Sequence, residues 1–573
     1  MTHRIIIKDL LPWIAAVAGG ILVFLGYAGF DHFYLEWICL VPILWAIREQ
    51  NPLRAFFIGW VAGIVCHGGG FYWILYMFEQ FAGLSWPPAL LGLLFLAAAN
   101  GIVFAVWAGA TRFITRATGW SVIWVSPIVW TALEKFWPEI FPNYLGASQY
   151  KFILLTQIAD VTGILGVTFL VVYVNSLIYA IIERRMEKQP FPFRPVAVFA
   201  TAIVLVLAYG VVRINSVDKS ASAATKLLVG LVQVNRGAGQ KHEDRDRFLH
   251  EHQEMSRKLI TENSLDLIVW PESVTTVNLR GTLRDDLIPP DALGNLGTPI
   301  LFGAISRIDH NNEARYYNRS ILVNGAGEIL GTYDKMVLVP FGEYIPFGET
   351  FPWLYSWSPY SSRFWSGENS EPLLLGAHPI SVSICYEDIF PGQIRMLMRG
   401  GREGRIPEAM FNLTEDSWYG NTVEPMEHLA IASFRAIEHR RPLVRCTTTG
   451  ISAIIDHVGR FTKRTGQWTK ETLVGRIPMM QGRTAYAVLG DWIGWLCAIL
   501  VLLSIGRGYQ LIRRCPENKQ IIDRKEKKRG KHPKKYLTNG SLGAWPIFPL
   551  HLDARITSCL LPGFVFNQFP IIV

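Results

Sequence analysis

Ser383-Ile384-Cys385-Tyr386-Glu387-Asp388 closes a run in which Ile380, Val382 and Ile384 alternate with polar neighbours. That period of two reads as a strand. Its end delivers a cysteine and three acid or phenol side chains to a loop, before Pro391-Gly392 and a basic segment of helical character. Reactive cysteines are often placed so, at a strand end facing a helix N-terminus where thiolate charge is favoured. A cysteine that merely packs is the competing reading, and the rest of the chain must decide.

Half of the 573 residues are hydrophobic, with mean hydropathy +0.24 and 20 tryptophans, more apolar than an ordinary soluble protein. The net charge of +9 sits in loops and in the tail rather than on one face. It therefore argues for membrane orientation and against a nucleic-acid partner. Seven cysteines show no paired spacing and no C-x-x-C, so neither a disulfide framework nor a zinc or redox motif is indicated.

Apolar runs at about 11–28, 34–47, 55–76, 87–110, 119–135, 160–182, 196–213 and 486–506 approach the ~20 residues that cross a bilayer as helix. The second and fifth are the shortest. Further spans follow the first and no small-residue cleavage site stands out, which argues against a cleaved signal peptide. Arg4 and Lys8, Arg48 and Arg54, Arg112 and Arg116, and Arg184 to Arg194 fall on alternate connections. By the positive-inside rule the N-terminus is cytoplasmic and residues 214–485 lie outside. The eighth span then returns a basic tail, 507–573, to the cytoplasm. The expected division is a membrane domain at 1–213, an external domain at 224–480, the last span at 486–506, and the tail. His67-Gly68-Gly69-Gly70 looks like an esterase oxyanion segment, but no Gly-x-Ser-x-Gly accompanies it, and close helix packing is the simpler use.

Between about 225 and 480 the texture changes to short β-type runs: 226–235, 265–270, 299–305, 320–324, 379–384, 409–413, 443–447 and 451–455. Helical stretches at 241–262 and 425–439 lie among them, implying an α/β domain with a covered sheet. Glu272 ends Leu267-Ile268-Val269-Trp270-Pro271-Glu272, where the proline stops the ladder. Lys335 ends Ile329-Leu330-Gly331-Thr332-Tyr333-Asp334-Lys335, and Val339-Pro340-Phe341-Gly342-Glu343 adds another acid. Singly these read as solvated strand-end charges. With Cys385 they supply base, cation and nucleophile, the parts of covalent acyl chemistry.

Trp-Pro-Glu, Tyr-x-Lys with Val-Pro-Phe-Gly-Glu, and Cys-Tyr-Glu, in that order, resemble the nitrilase superfamily of Glu-Lys-Cys enzymes. With seven spans before such a domain and one after, the chain closely resembles the bacterial apolipoprotein N-acyltransferase family. Asp160-Val161-Thr162-Gly163, the Asn412–Gly420 segment and Arg435-Ala436-Ile437-Glu438 match further stretches of that family. The resemblance implies a multi-span α-helical membrane domain bearing an external nitrilase-like αββα sandwich. It implies Cys385 as nucleophile, Glu272 as general base and Lys335 as positive stabiliser, with Glu343, Tyr386 and Glu387 in support. It also implies no metal or cofactor, a membrane phospholipid as acyl donor and a diacylated apolipoprotein as acceptor. The expected location is the bacterial inner membrane, with the catalytic domain periplasmic and both termini cytoplasmic.

One departure is visible. The family's tryptophan shortly after the first sandwich strand has no counterpart in Arg236-Gly237-Ala238-Gly239-Gln240-Lys241, where Lys241 is the candidate for headgroup contact. Two other functions compete: a membrane-tethered amidase or nitrilase that hydrolyses a C–N bond, and a non-catalytic transporter or lipoprotein-binding scaffold. A metalloprotease is excluded, since His250-Glu251-His252-Gln253-Glu254 lacks the second histidine of H-E-x-x-H.

Overall fold

Strict alternation sorts each strand of the soluble half onto two faces. Leu267 and Val269 enter one core while Ile268 and Trp270 enter another; Leu301 and Leu322 follow the first pair, Phe302 and Ile321 the second. The protein, seen here as a computed structural model, is described at residues 2–237, 245–278, 288, 290–310, 313–357 and 362–514. Lys241 and the tail from 515 onward lie outside the described residues.

The strands are β1 (Lys226–Gln233), β2 (Leu267–Val269), β3 (Thr275–Asn278), β4 (Ile300–His310), β5 (Glu313–Val323) and β6 (Ile329–Asp334). Then come β7 (Leu373–Leu375), β8 (His378–Ile384), β9 (Ala409–Thr414), β10 (Leu443–Thr447), β11 (Ala453–Ile455), β12 (Phe461–Arg464) and β13 (Glu471–Pro478). One sheet runs β13-β1-β2-β4-β5-β6, with β3 also on β4; the other runs β12-β11-β10-β9-β8-β7. The inner strands are parallel, β1-β2-β4 in one sheet and β8-β9-β10 in the other. Parallel neighbours gather their carboxyl ends on one edge, the edge where α/β folds place ligands. The helix Arg245–Glu262 covers the first sheet and Glu424–His439 the second, giving the expected αββα sandwich. Four strands escaped the sequence: β3, β7, β12 and β13, mostly short or mixed in polarity.

Among the described residues, six helices are long and apolar enough to cross a bilayer: Asp9–Gly26, Pro52–Gly70, Trp86–Thr118, Ile164–Met186, Phe193–Ala223 and Trp492–Leu511. The expected second and fifth spans are helical but shorter. Phe33–Ile47 is a 3-10 turn followed by the seven-residue helix Val41–Ile47, and Val122–Phe136 has 15 residues. At 1.5 Å per residue the latter extends about 22 Å, against a hydrocarbon layer of about 30 Å. Glycines bring the first helices together: a Cβ on Gly63 would sit 2.5 Å from the Gly101 carbonyl. Cys39, Cys66 and Cys497 are buried, as packing residues are.

The membrane helices and the sandwich belong to one compact unit, Met1–Ile512. A buried carboxylate joins them. Asp160, in the short helix Ala159–Thr162, accepts from Arg440 Nε (3.0 Å) and Nη2 (2.9 Å) of the sandwich. It also accepts from Arg213 Nε (2.6 Å) and the Tyr209 hydroxyl (2.7 Å) of the Phe193–Ala223 helix. Nearby, Glu438 accepts the Ile164 N–H at 2.9 Å, and the Trp492 indole donates to the Val161 carbonyl at 2.9 Å. Removing one partner of a buried ion pair strands the other in a dry site, at a cost of about 3–5 kcal/mol. Asp160→Ala is therefore expected to lower the thermal melting temperature of the purified protein markedly. Arg213→Ala should do less, because Arg213 is 32% exposed whereas Arg440 is 4% exposed.

Candidate active site

The three singled-out segments converge where β2, β6 and β8 end. Pro271 breaks the β2 ladder, and the chain turns at Ser273 with φ +55°, leaving the Glu272 side chain buried at 6% exposure. The turn is close against β4. A Cβ on Gly303 would lie 2.6 Å from the Glu272 Cα and 2.7 Å from the Pro271 carbonyl oxygen, so only glycine fits there. Lys335 follows β6, 1% exposed, with its N–H bonded to the Asn318 carbonyl and its carbonyl to the Gly367 N–H, both at 2.8 Å. Its ammonium lies 2.8 Å from Glu343 Oε2 and 3.8 Å from Glu272 Oε1. The Asn318 amide donates to both acids, at 2.6 Å to Glu272 and 2.8 Å to Glu343, and the Val339 N–H donates to Glu343 at 2.8 Å.

Cys385 stands at the start of the 3-10 turn Cys385–Ile389 with φ +51°, a left-handed conformation that costs a side-chain-bearing residue about 1–3 kcal/mol. Both flanks of the turn are fastened. Glu387 Oε2 accepts the Ile384 N–H at 2.8 Å, and Asn412 Nδ2 donates to the Cys385 carbonyl at 3.0 Å. Glu387 is itself fully enclosed, accepting from the Met336 N–H (2.7 Å), the Val337 N–H (3.0 Å) and the Tyr333 hydroxyl (2.8 Å). It thus ties the cysteine turn to the Lys335 segment. Tyr386 points the other way: its hydroxyl donates to the Ile140 carbonyl at 2.6 Å, and its ring meets Phe141 edge-on.

Charges set the state of these groups. Burial alone would discharge Lys335, but Glu343 and then Glu272 hold its pKa above the usual lysine range. Burial pushes the Glu272 carboxyl up; Lys335 opposes, Glu343 adds to the rise and Asn318 opposes. The Cys385 thiol is raised by burial and by Glu272 and lowered by Lys335. Burial takes Glu387 up to about 7, against the Ile384 and Val337 N–H groups and Tyr333. The structure thus brings Glu272, Lys335, Glu343 and Cys385 within electrostatic reach of one another, with Tyr386 and Glu387 on the same turn as the thiol.

Behind that turn lies a cluster absent from the sequence-derived site. Arg445, fully buried in β10, donates to Asp388 (2.8 Å), Asn412 (3.2 Å) and Asp416 (3.1 Å). His428 Nε2 meets Asp388 at 2.7 Å, and its Nδ1 meets Arg445 at 2.8 Å. Donors of Asp416, Glu424 and His428 lie within 4.8 Å of one another, close enough for a metal ion. The Arg445 guanidinium already occupies the electrostatic place a metal would take. Arg445 gave no usable signal in the sequence, since it sits inside a strand where a polar residue reads as the solvent face, and Asn318 lies before the strand expected at 320–324.

Residues 228–486 match the carbon-nitrogen hydrolase family. Residues 19–177 match the apolipoprotein N-acyltransferase N-terminal domain. Relatives named apolipoprotein N-acyltransferase span nearly the whole chain. The Geobacter metallireducens protein is 28% identical over 515 residues, covering 87% of this chain and 97% of its own. That of Pasteurella multocida is 27% identical, covering 88% and 97%, and that of Azotobacter vinelandii 29%, covering 88% and 95%. Among solved structures, Saccharomyces cerevisiae Nit3 of the nitrilase superfamily is similar over 44% of this chain and 90% of its own, at 18% identity and TM-score 0.34. Across both parts, the chain is similar to apolipoprotein N-acyltransferases.

The electrostatics are measurable by alkylating the protein with a small haloacetamide across a pH series and reading the Cys385 adduct by mass. Lys335→Met removes the cation that favours thiolate, so the midpoint is expected to move up by about one pH unit. Glu272→Gln removes an anion that disfavours thiolate, so the midpoint is expected to move down.

Proposed function

We propose that this protein transfers a fatty acyl chain from a membrane phospholipid to the N-terminal amine of a diacylglyceryl-cysteine lipoprotein, through a thioester on Cys385. Similarity to these relatives supports lipoprotein N-acylation in general. The observation that carries the finer reading is the location of the thiol's turn, tied by Tyr386 to the Ile140 carbonyl and packed on Phe141, against the membrane-side half of the chain. A hydrolase of small soluble amides gains nothing from that placement; an enzyme of lipid-anchored substrates does.

In the first half-reaction Glu272 takes the thiol proton as Cys385 sulfur attacks the ester carbonyl. Lys335 faces the oxyanion that develops, an interaction of a kind worth roughly 3–4 kcal/mol per donor. Collapse breaks the ester C–O bond, and Glu272 returns the proton to the departing lysophospholipid. In the second, the neutral amine of the acceptor attacks the thioester and gives a proton to Glu272. The C–S bond breaks, and the proton passes to the leaving thiolate. Glu343 and Asn318 keep the lysine and the base in register, and Glu387 holds the turn. One thiol serving both steps requires ping-pong kinetics. Because each substrate is anchored in lipid, the reaction fits an inner-membrane protein with 224–480 on the periplasmic side, the orientation given by the Arg- and Lys-bearing connections.

Incubation of the purified protein with a defined phospholipid is expected to leave one acyl mass on Cys385, discharged by a diacylated lipopeptide to give a triacylated product. Cys385→Ala should carry no acyl mass and form no product. A persistent adduct in that variant, or discharge only to free fatty acid with the lipopeptide amine untouched, would sink the scheme; the second result would favour an amidase-like hydrolase.

A further inference from the structure

Beside the turn that carries Cys385 lies a small cavity that the acyl chemistry above does not use. Its walls are aromatic: Phe71, Trp73 and Phe141 from the membrane half, Tyr386 and Tyr419 from the sandwich. Its volume is about 30 Å³, room for one water-sized group. Two acids also line it, Glu424 and Glu427 of the first turn of the Glu424–His439 helix, each 6% exposed.

These carboxyls are not accounted for by their surroundings. Glu424 Oε2 and Glu427 Oε1 have no hydrogen-bond partner, an expensive condition for a buried acid. Trp73 lies against Glu427 closely enough to lower its pKa, yet the indole N–H is also unpartnered. The nearest basic group to Glu424, His428 Nδ1, is 3.9 Å away and turned to Arg445, whose own bonds go to Asp388 and Asp416. Burial pushes both acids well above the usual carboxyl range, a penalty that a cation placed between them would reverse.

We propose that this cavity binds a primary ammonium group, hydrogen-bonded to Glu424 and Glu427 and faced by the surrounding rings. Aromatic faces attract cations through the ring quadrupole, and carboxylates accept charge-assisted N–H bonds. A volume of about 30 Å³ suits a compact –NH₃⁺ head. A metal ion would have to share Glu424 with Asp416 and His428, and both of those are already bonded to Arg445. The identity of the ligand rests on the acyl-transfer reading: the group belongs either to the acceptor's N-terminus, held here before it loses a proton and moves to the thioester, or to an aminophospholipid headgroup of the donor.

The test uses full-length protein in detergent micelles, as wild type and as the double variant Glu424→Gln/Glu427→Gln. Thermal stabilisation is measured first, without catalysis, with a diacylated lipopeptide against its N-acetylated form, and with phosphatidylethanolamine against phosphatidylglycerol. Wild type is expected to be stabilised more by the free-amine member of one pair, and the variant to lose that difference. The kinetic arms assign the source. If the acceptor amine binds here, the variant loads Cys385 normally but its KM for lipopeptide rises by about tenfold or more, the scale of one lost charged hydrogen bond. If the headgroup binds here, loading from phosphatidylethanolamine falls by a similar factor while loading from phosphatidylglycerol is unchanged. Equal stabilisation of wild type by free and capped ligands in both pairs overturns the site, even if the variant does not fold. So do unchanged loading and discharge in a folded variant. Absence of any acyl mass on wild-type Cys385, with the amine-dependent stabilisation intact, would instead overturn the acyl-transfer reading and leave the site standing.

Discussion

A lysine ammonium cannot be held in a water-poor site without anions at contact distance, and most of the candidate site is arranged around that constraint. Lys335 is 1% exposed. Desolvating a cation costs several kcal/mol even after relaxation, so Glu343 at 2.8 Å is a requirement of burial before it is anything else. Burial raises the pKa of the second acid, Glu272; one lysine only partly offsets this, and Glu343 adds to the rise. Asn318 bridges both carboxylates and keeps them from competing for the same approach to the ammonium. The geometry of the acid, the cation and the thiol therefore follows from one electrostatic balance.

The same logic recurs at a larger scale. The sandwich meets the membrane helices through Asp160, Arg440 and Arg213, a second buried group in which charges neutralise one another. Arg440 adopts φ +53° as it leaves the Glu424–His439 helix, so the guanidinium is aimed by the helix end itself. Polar joints of this kind are directional where an apolar contact is not. They fix how the candidate site is presented to the lipid-facing half.

What the sequence disclosed and what it hid divides along physical lines. Glu272, Lys335 and Cys385 were legible because strand-end residues announce themselves: an alternating run stops, and a reactive side chain follows. The parallel strands and the two covering helices were legible from period alone. Arg445 was not, because a charge inside Leu443-Val444-Arg445-Cys446 looks like a solvent-facing position until the helix laid over that face is known. Asn318 was hidden because the expected strand began at 320, two residues past it, whereas β5 spans Glu313–Val323. The left-handed backbone at Cys385 also left no trace in residue types; Glu387 on the same turn and Asn412 on β9 fasten its flanks. Hydropathy found helices at all eight expected places, but Phe33–Ile47 and Val122–Phe136 fall short in length, a property that local apolarity does not measure.

The Tyr386 contact has an evolutionary reach of its own. Its acceptor is the main-chain carbonyl of Ile140, an atom every amino acid supplies. Substitution at 140 therefore leaves the link chemically intact, and the loop is free to drift in sequence provided its path is kept. Only position 386 can sever it, and loss of one phenolic oxygen suffices. Selection on this bond falls on one side of the junction alone, so the partner loop can diversify without uncoupling the Cys385 turn from the N-terminal helices.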